Sequence, residues 1–155
     1  MDLKESIHNA PITHVDLSYY VETEHGTRAG DVLAKMKASH RKCALVMRHG
    51  RLIGIFTERD IMKKVAGNPE SGNAPIDDLM TPNPETIDAD MNILDATRVI
   101  VSNRYRYMPV TSKEGKVLGT LTYYAIIKYI CDYFPQEIYN QPPVPDVFAK
   151  ARAGA

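Results

Sequence analysis

Apolar positions along this chain follow two different periods, and the switches between them mark its elements. Tyr19 to Thr23 is a short β-prone run. From Asp31 to Ser39, Val32, Leu33 and Met36 recur at the spacing that lines one face of a helix. Cys43 to Met47 is a continuous apolar run suited to a buried strand. Arg48-His49-Gly50 supplies a turn, and Leu52 to Phe56 reads as the return strand of a hairpin. Glu58 to Ala66 goes back to helical spacing, with Ile61, Met62 and Val65 on one face, until Gly67-Asn68-Pro69 stops it. The succession then comes round again. It predicts a strand at Thr86 and Ile87, a helix over Leu94 to Asn103, a hairpin of Tyr107 to Thr111 and Val117 to Leu121 about Glu114-Gly115, and a helix over Tyr124 to Phe134.

The recurrence is in register. Gly50 and Gly115, Gly54 and Gly119, Thr57 and Thr122, and Arg41 and Arg106 each lie 65 residues apart, as do Ile61 and Ile126. The helices upstream align only if a residue or so is gapped. This is a tandem duplication of a β-α-β-β-α unit. Between the copies, Gly67 to Ala74 reads as a loop and Pro75 to Met80 as a short helical turn. Beyond Phe134, Pro135, Pro142, Pro143 and Pro145 break regular structure, and partial disorder is expected at both ends.

Composition narrows the class. With 155 residues, 44% of them hydrophobic, the chain can bury a core as one compact domain or two very small ones sharing it. Nineteen basic and nineteen acidic residues give a net charge of 0, which argues against overall attraction to nucleic acid or an anionic membrane. The run Arg104-Tyr105-Arg106-Tyr107 is too short to read as a base-stacking platform. Cys43 and Cys131 lack CxxC spacing and read as reduced thiols of a cytoplasmic protein. Neither a signal-peptide pattern nor a membrane-length apolar stretch occurs. The five histidines show no ligand spacing, and no nucleophile–base motif, P-loop or HExxH is present, so neither a metal site nor an enzyme is expected.

At Leu52-Ile53-Gly54-Ile55-Phe56-Thr57-Glu58-Arg59-Asp60-Ile61 the chain closely resembles the end of a cystathionine-β-synthase (CBS) domain. Asp78-Leu79-Met80-Thr81-Pro82 resembles the approach to a second one. Over roughly residues 10–133 the sequence is similar to a stand-alone CBS pair, or Bateman module. The resemblance implies an α+β (α/β) fold of two intertwined β-α-β-β-α repeats in one pseudo-two-fold pair. Repeat 1 would span residues 10–67, a linker 68–84 and repeat 2 85–134, with an N-terminal segment 1–9 and a C-terminal tail 135–155 outside them. It also implies a regulatory module that binds AMP, ADP or ATP between the repeats and signals to a regulated protein. Magnesium would accompany ATP, and no catalytic cofactor is implied. An S-adenosylmethionine sensor is one alternative, a ligand-free dimerising scaffold another. A homodimer is expected, with Ile61, Met62, Val65, Ile126, Ile127 and Ile130 as its seam.

Thr57-Glu58-Arg59-Asp60 sits where a strand meets a helix. Unpaired N–H groups at a helix start suit a phosphate, as does a threonine hydroxyl. An ionised Asp carboxylate can accept both hydrogens of a ribose diol. The same Thr-x-x-Asp spacing is also a capping box, and both readings stay open. The resemblance gives Asp60 the ribose, with Thr57 and Arg59 beside it. It also brings Arg41 and Arg106 to the phosphates, where a guanidinium binds bidentately; a solvated surface arginine is the alternative. Ile55 would wall the adenine, opposite Thr86, Ile87, Tyr107, Met108 and Pro109, each apolar one of which also suits a plain core. The second copy places Ala125 where the acid belongs, so the Thr122 cleft is expected to be empty or weak.

Overall fold

Buried at every position but its last, the apolar run Cys43–Arg48 forms the strand β2 within a four-stranded sheet. The computed structural model describes residues 2–133, so the expectations for Phe134 and the tail lie outside the described residues. Its first half runs α1 (Leu3–Asn9), β1 (Val21–Glu24), α2 (Ala29–Ala38), β2, β3 (Arg51–Thr57) and α3 (Glu58–Asp60), which continues as a π-helical turn, Ile61–Val65. The second half runs β4 (Thr81–Pro82), β5 (Ile87–Asp88), α4 (Ile93–Asn103), β6 (Tyr107–Thr111), β7 (Val117–Thr122) and α5 (Tyr123–Tyr133). The sheets are ordered β1-β2-β3-β4 and β5-β6-β7, with β1–β2 and β5–β6 parallel and both hairpins antiparallel.

Strand register locates the gap that the repeat requires. Thr57 lies opposite Cys43, whereas Thr122 lies opposite Tyr107. The third strands are therefore 65 residues apart but the second strands only 64, because the second hairpin turn holds one extra residue. Everything upstream obeys the shorter offset. His40 and Arg104 both end their helices in the left-handed region (φ 52 and 56), followed by the matching bonds Arg41 N–H to Met36 O and Tyr105 N–H to Ile100 O. Arg41 thus corresponds to Tyr105, not to Arg106 as the sequence alignment suggests.

The segment ahead of each copy docks on the other copy. Ile12 N–H donates to Met91 O (3.1 Å) and Ile93 N–H to Ala10 O (2.9 Å). The mirrored bonds are Ile76 N–H to Thr27 O (2.7 Å) and Ala29 N–H to Ala74 O (2.8 Å). Ile12 fills the core of the second repeat beside Ile93, Ile100 and Leu121, and Ile76 fills that of the first beside Val32, Val46 and Phe56. Both are fully buried, worth about 1.5–3 kcal/mol each, so neither repeat is complete without the other's leading segment. A third apolar cluster brings Leu45, Met47, Leu52 and Ile55 of the first sheet against Tyr107 and Val117 of the second.

Candidate functional site

Where β3 runs out into α3, backbone N–H groups are left without helical partners, and Asp60 reaches back to fill one. Its Oδ2 accepts from Thr57 N–H at 3.0 Å, half of the Thr57–Asp60 capping box. Its Oδ1 accepts from Lys64 Nζ at 3.2 Å and from Thr81 Oγ1 at 2.9 Å. Lys64 donates onward to the linker carbonyls of Leu79 (3.0 Å) and Met80 (3.3 Å). Asp60 is only 6% exposed, and charge-assisted bonds of this kind are what let a carboxylate stay buried.

The second repeat closes the site from across the pair. Tyr107 Oη donates to Glu58 Oε1 at 3.2 Å, joining the start of β6 to the start of α3. Burial first, then the Glu58 carboxylate, push the Tyr107 phenol up to about 12, while the Arg106 guanidinium pulls the other way. Burial, reinforced by the Asp60 charge, also raises the Cys43 thiol to about 12, so this cysteine is an unreactive core group.

The sequence-predicted residues divide between two places. Thr57, Asp60, Arg59 and Ile55 gather at the α3 end, which Tyr107 of the second repeat joins through Glu58; Arg59 and Arg106, the residue before Tyr107, are exposed. Pro109 is buried on the same strand face as Tyr107, and Thr86 is exposed just before β5. Ile87 and Met108, at 1% and 2% exposure, point the other way into the core of the second repeat, leaving only their backbone for the cleft. Arg41 is not at this end at all. Its guanidinium carbon lies 4.9 Å from the Tyr19 ring centroid, and Tyr19 meets Tyr124 of α5 edge-on at 5.4 Å. Arg41 therefore belongs to the Thr122 end, where Thr122 Oγ1 accepts from Ala125 N–H at 3.1 Å and Ala125 stands at the position equivalent to Asp60.

Sequence reasoning overlooked Glu58, Lys64, Thr81 and Tyr124 as members of either site. Lys64 was readable, since it lies four residues after Asp60 on a helical stretch. The contacts of Thr81 and Tyr107 depend on tertiary placement and leave no local signal. A groove of about 710 Å³ runs beside Asp16, Leu17, Tyr20 and Leu118, yet none of the sequence-predicted residues lines it. Among the described residues, no group of three or more His, Cys, Asp or Glu is placed to hold a metal, and no helix is long and apolar enough to cross a membrane.

Comparison with known proteins completes the picture. The CBS domain profile matches residues 11–67 and 76–132. The CBS domain-containing protein CBSCBSPB1 of Arabidopsis thaliana is 35% identical over 91 residues, which is 58% of this chain but only 17% of that protein. The structure of CBSX2 in complex with AMP superposes with a TM-score of 0.67 at 19% identity, covering 81% of this chain and 99% of that one. The cytosolic domain of the Mg2+ channel MgtE in complex with ATP gives 0.65 at 19% identity, over 80% of this chain and 50% of that one. At such identities the likeness speaks to the fold.

Proposed function

Since this chain belongs to the CBS domain family, we propose that it is a regulatory module that takes AMP, ADP or ATP in the cleft at the start of α3. One observation carries the reading: Thr57 and Asp60 meet at a helix start, and Glu58 between them accepts from Tyr107 of the other repeat. Two structural neighbours hold AMP and ATP, which supports an adenosine ligand in this architecture. In this reading Asp60 accepts from the ribose diol, while Thr57, Arg59 and Arg106 face the phosphate. Ile55, Tyr107 and Pro109, with the Thr86–Ile87 and Met108 backbone, frame the base. Arg41 has no part at this cleft. The protein acts by binding, in the cytoplasm, and passes occupancy to a regulated protein.

Melting the protein with AMP, ADP, ATP or S-adenosylmethionine tests this. A ligand at a hundred times its Kd stabilises the native state by about 2.7 kcal/mol, a rise of roughly 5–10 °C for a chain of this size. A rise with S-adenosylmethionine alone would move the assignment to that ligand. No rise with any of the four would favour the scaffold reading.

Self-association is part of the same proposal. Met62 (76% exposed) and Ile127 (59%) are large apolar side chains left in solvent on the two helices that follow the hairpins, with Ile61, Val65 and Ile130 half-buried beside them. Ile126 is a correction to the expected seam: at 4% exposure it packs into the core of the second repeat. Light scattering at micromolar concentration should return twice 17.4 kDa; a value of 17.4 kDa would count against the dimer.

A further inference from the structure

Resting on the nucleotide reading above, we propose that Asp60 is shared between the ligand and the inter-repeat linker, so that ligand binding releases Thr81. An ionised carboxylate offers about four lone-pair positions. Three are taken: one on Oδ2 by Thr57 N–H and two on Oδ1 by Lys64 and Thr81. A ribose diol brings two hydrogens and finds one position open, so one present donor must leave.

The three donors differ in how firmly they are held. Thr57 N–H belongs to the backbone of the capping box and cannot turn away without unwinding α3. Lys64 is a charge-assisted donor fixed by two further carbonyls, Leu79 O and Met80 O. Thr81 is a neutral hydroxyl on an exposed residue, free to rotate to water. Thr81 is the donor that yields.

What it releases is a short element with few other ties. β4 is two residues long and pairs with β3 only through Ile55–Thr81 and Gly54–Pro82, followed by Asn83 N–H to Ile53 O (3.0 Å). Thr81, Pro82 and Asn83 are all exposed, so a change there is presented at the surface, where a regulated protein can meet it. Ile55, the partner of Thr81, belongs to the cluster between the sheets, so β4 lies alongside the strand that meets the second repeat. The Thr122 cleft cannot work this way, because Ala125 has no carboxylate to share.

Linkage gives the test opposite signs for this proposal and for a merely structural Thr81. If the nucleotide must displace the hydroxyl, removing the hydroxyl helps the nucleotide by the same coupling. AMP should bind Thr81→Val about ten- to a hundredfold more tightly than wild type, the worth of one hydrogen bond to a charged carboxylate. In the wild type, saturating AMP should speed hydrogen exchange at the Thr81 and Asn83 amides by roughly threefold or more. Equal or weaker AMP binding by Thr81→Val, or AMP-bound wild type with unchanged exchange at those amides, would overturn the shared-carboxylate proposal alone. Failure of AMP to bind the wild type would instead overturn the AMP reading, and this coupling with it.

Discussion

Gly119→Ala is expected to lower the stability of this protein by about 3 kcal/mol, and its melting temperature by roughly 6–12 °C. Gly119 lies in β7 where the leading segment of the chain crosses onto the second sheet, with Thr120 N–H donating to Leu17 O at 2.9 Å. A Cβ at this glycine would stand 2.5 Å from Leu17 O, a backbone atom, and Gly119 has φ +157. Relief would need the crossing segment to move, and that segment carries Ile12 and Val15 into the core of the second repeat. Gly54 supplies the contrast at the equivalent position, because a Cβ there meets the thioether end of Met80, which can swing aside. Gly54→Ala should therefore cost visibly less. Denaturant unfolding of the two variants decides the matter, and a Gly119→Ala loss below about 1 kcal/mol would contradict the crossing geometry.

Asp60→Ala is expected to fold, to lose stability by about 2 kcal/mol, and to bind AMP ten- to a hundredfold more weakly. The stability loss follows from removing the acceptor that three donors share, Thr57 N–H, Lys64 Nζ and Thr81 Oγ1, and with it the side-chain half of the α3 cap. That the fold survives is argued by the second copy, which holds Ala125, 1% exposed, at the same place in the repeat. The affinity loss follows from a ribose diol entering the cleft without an acceptor. Thermal unfolding and an AMP titration on the same sample separate the two effects.

Much of the fold could be read from residues that local physics constrains. Gly50 and Gly115, both with positive φ, announce the two hairpin turns, and the alternation of core and cleft residues fixes which face each strand presents. Periodicity placed the helices, although α2 begins at Ala29, two residues before the expected Asp31, because Ala29 N–H is tied to Ala74 O of the crossing linker. Such tertiary bonds leave no mark on nearby sequence. The same limit explains Arg41 and Arg106. An exact spacing of 65 made them look equivalent, yet one extra residue in the second hairpin shifts the strands before it, so Arg41 corresponds to Tyr105 and stacks on Tyr19 at the Thr122 end. Thr57 and Asp60 were visible because their spacing is that of a helix cap, which is the role the structure gives them. That Asp60 also holds the linker through Thr81 and Lys64 follows only from the crossing of two segments 21 residues apart.

The central claim is that one cleft per chain, built on Thr57 and Asp60, takes an adenosine ligand. Calorimetric titration of AMP into wild type and Asp60→Ala tests it most directly, because it reads stoichiometry and affinity together. One tight site per chain is expected in the wild type, and its loss in the variant. Two equal sites per chain, or undiminished affinity in Asp60→Ala, would contradict it.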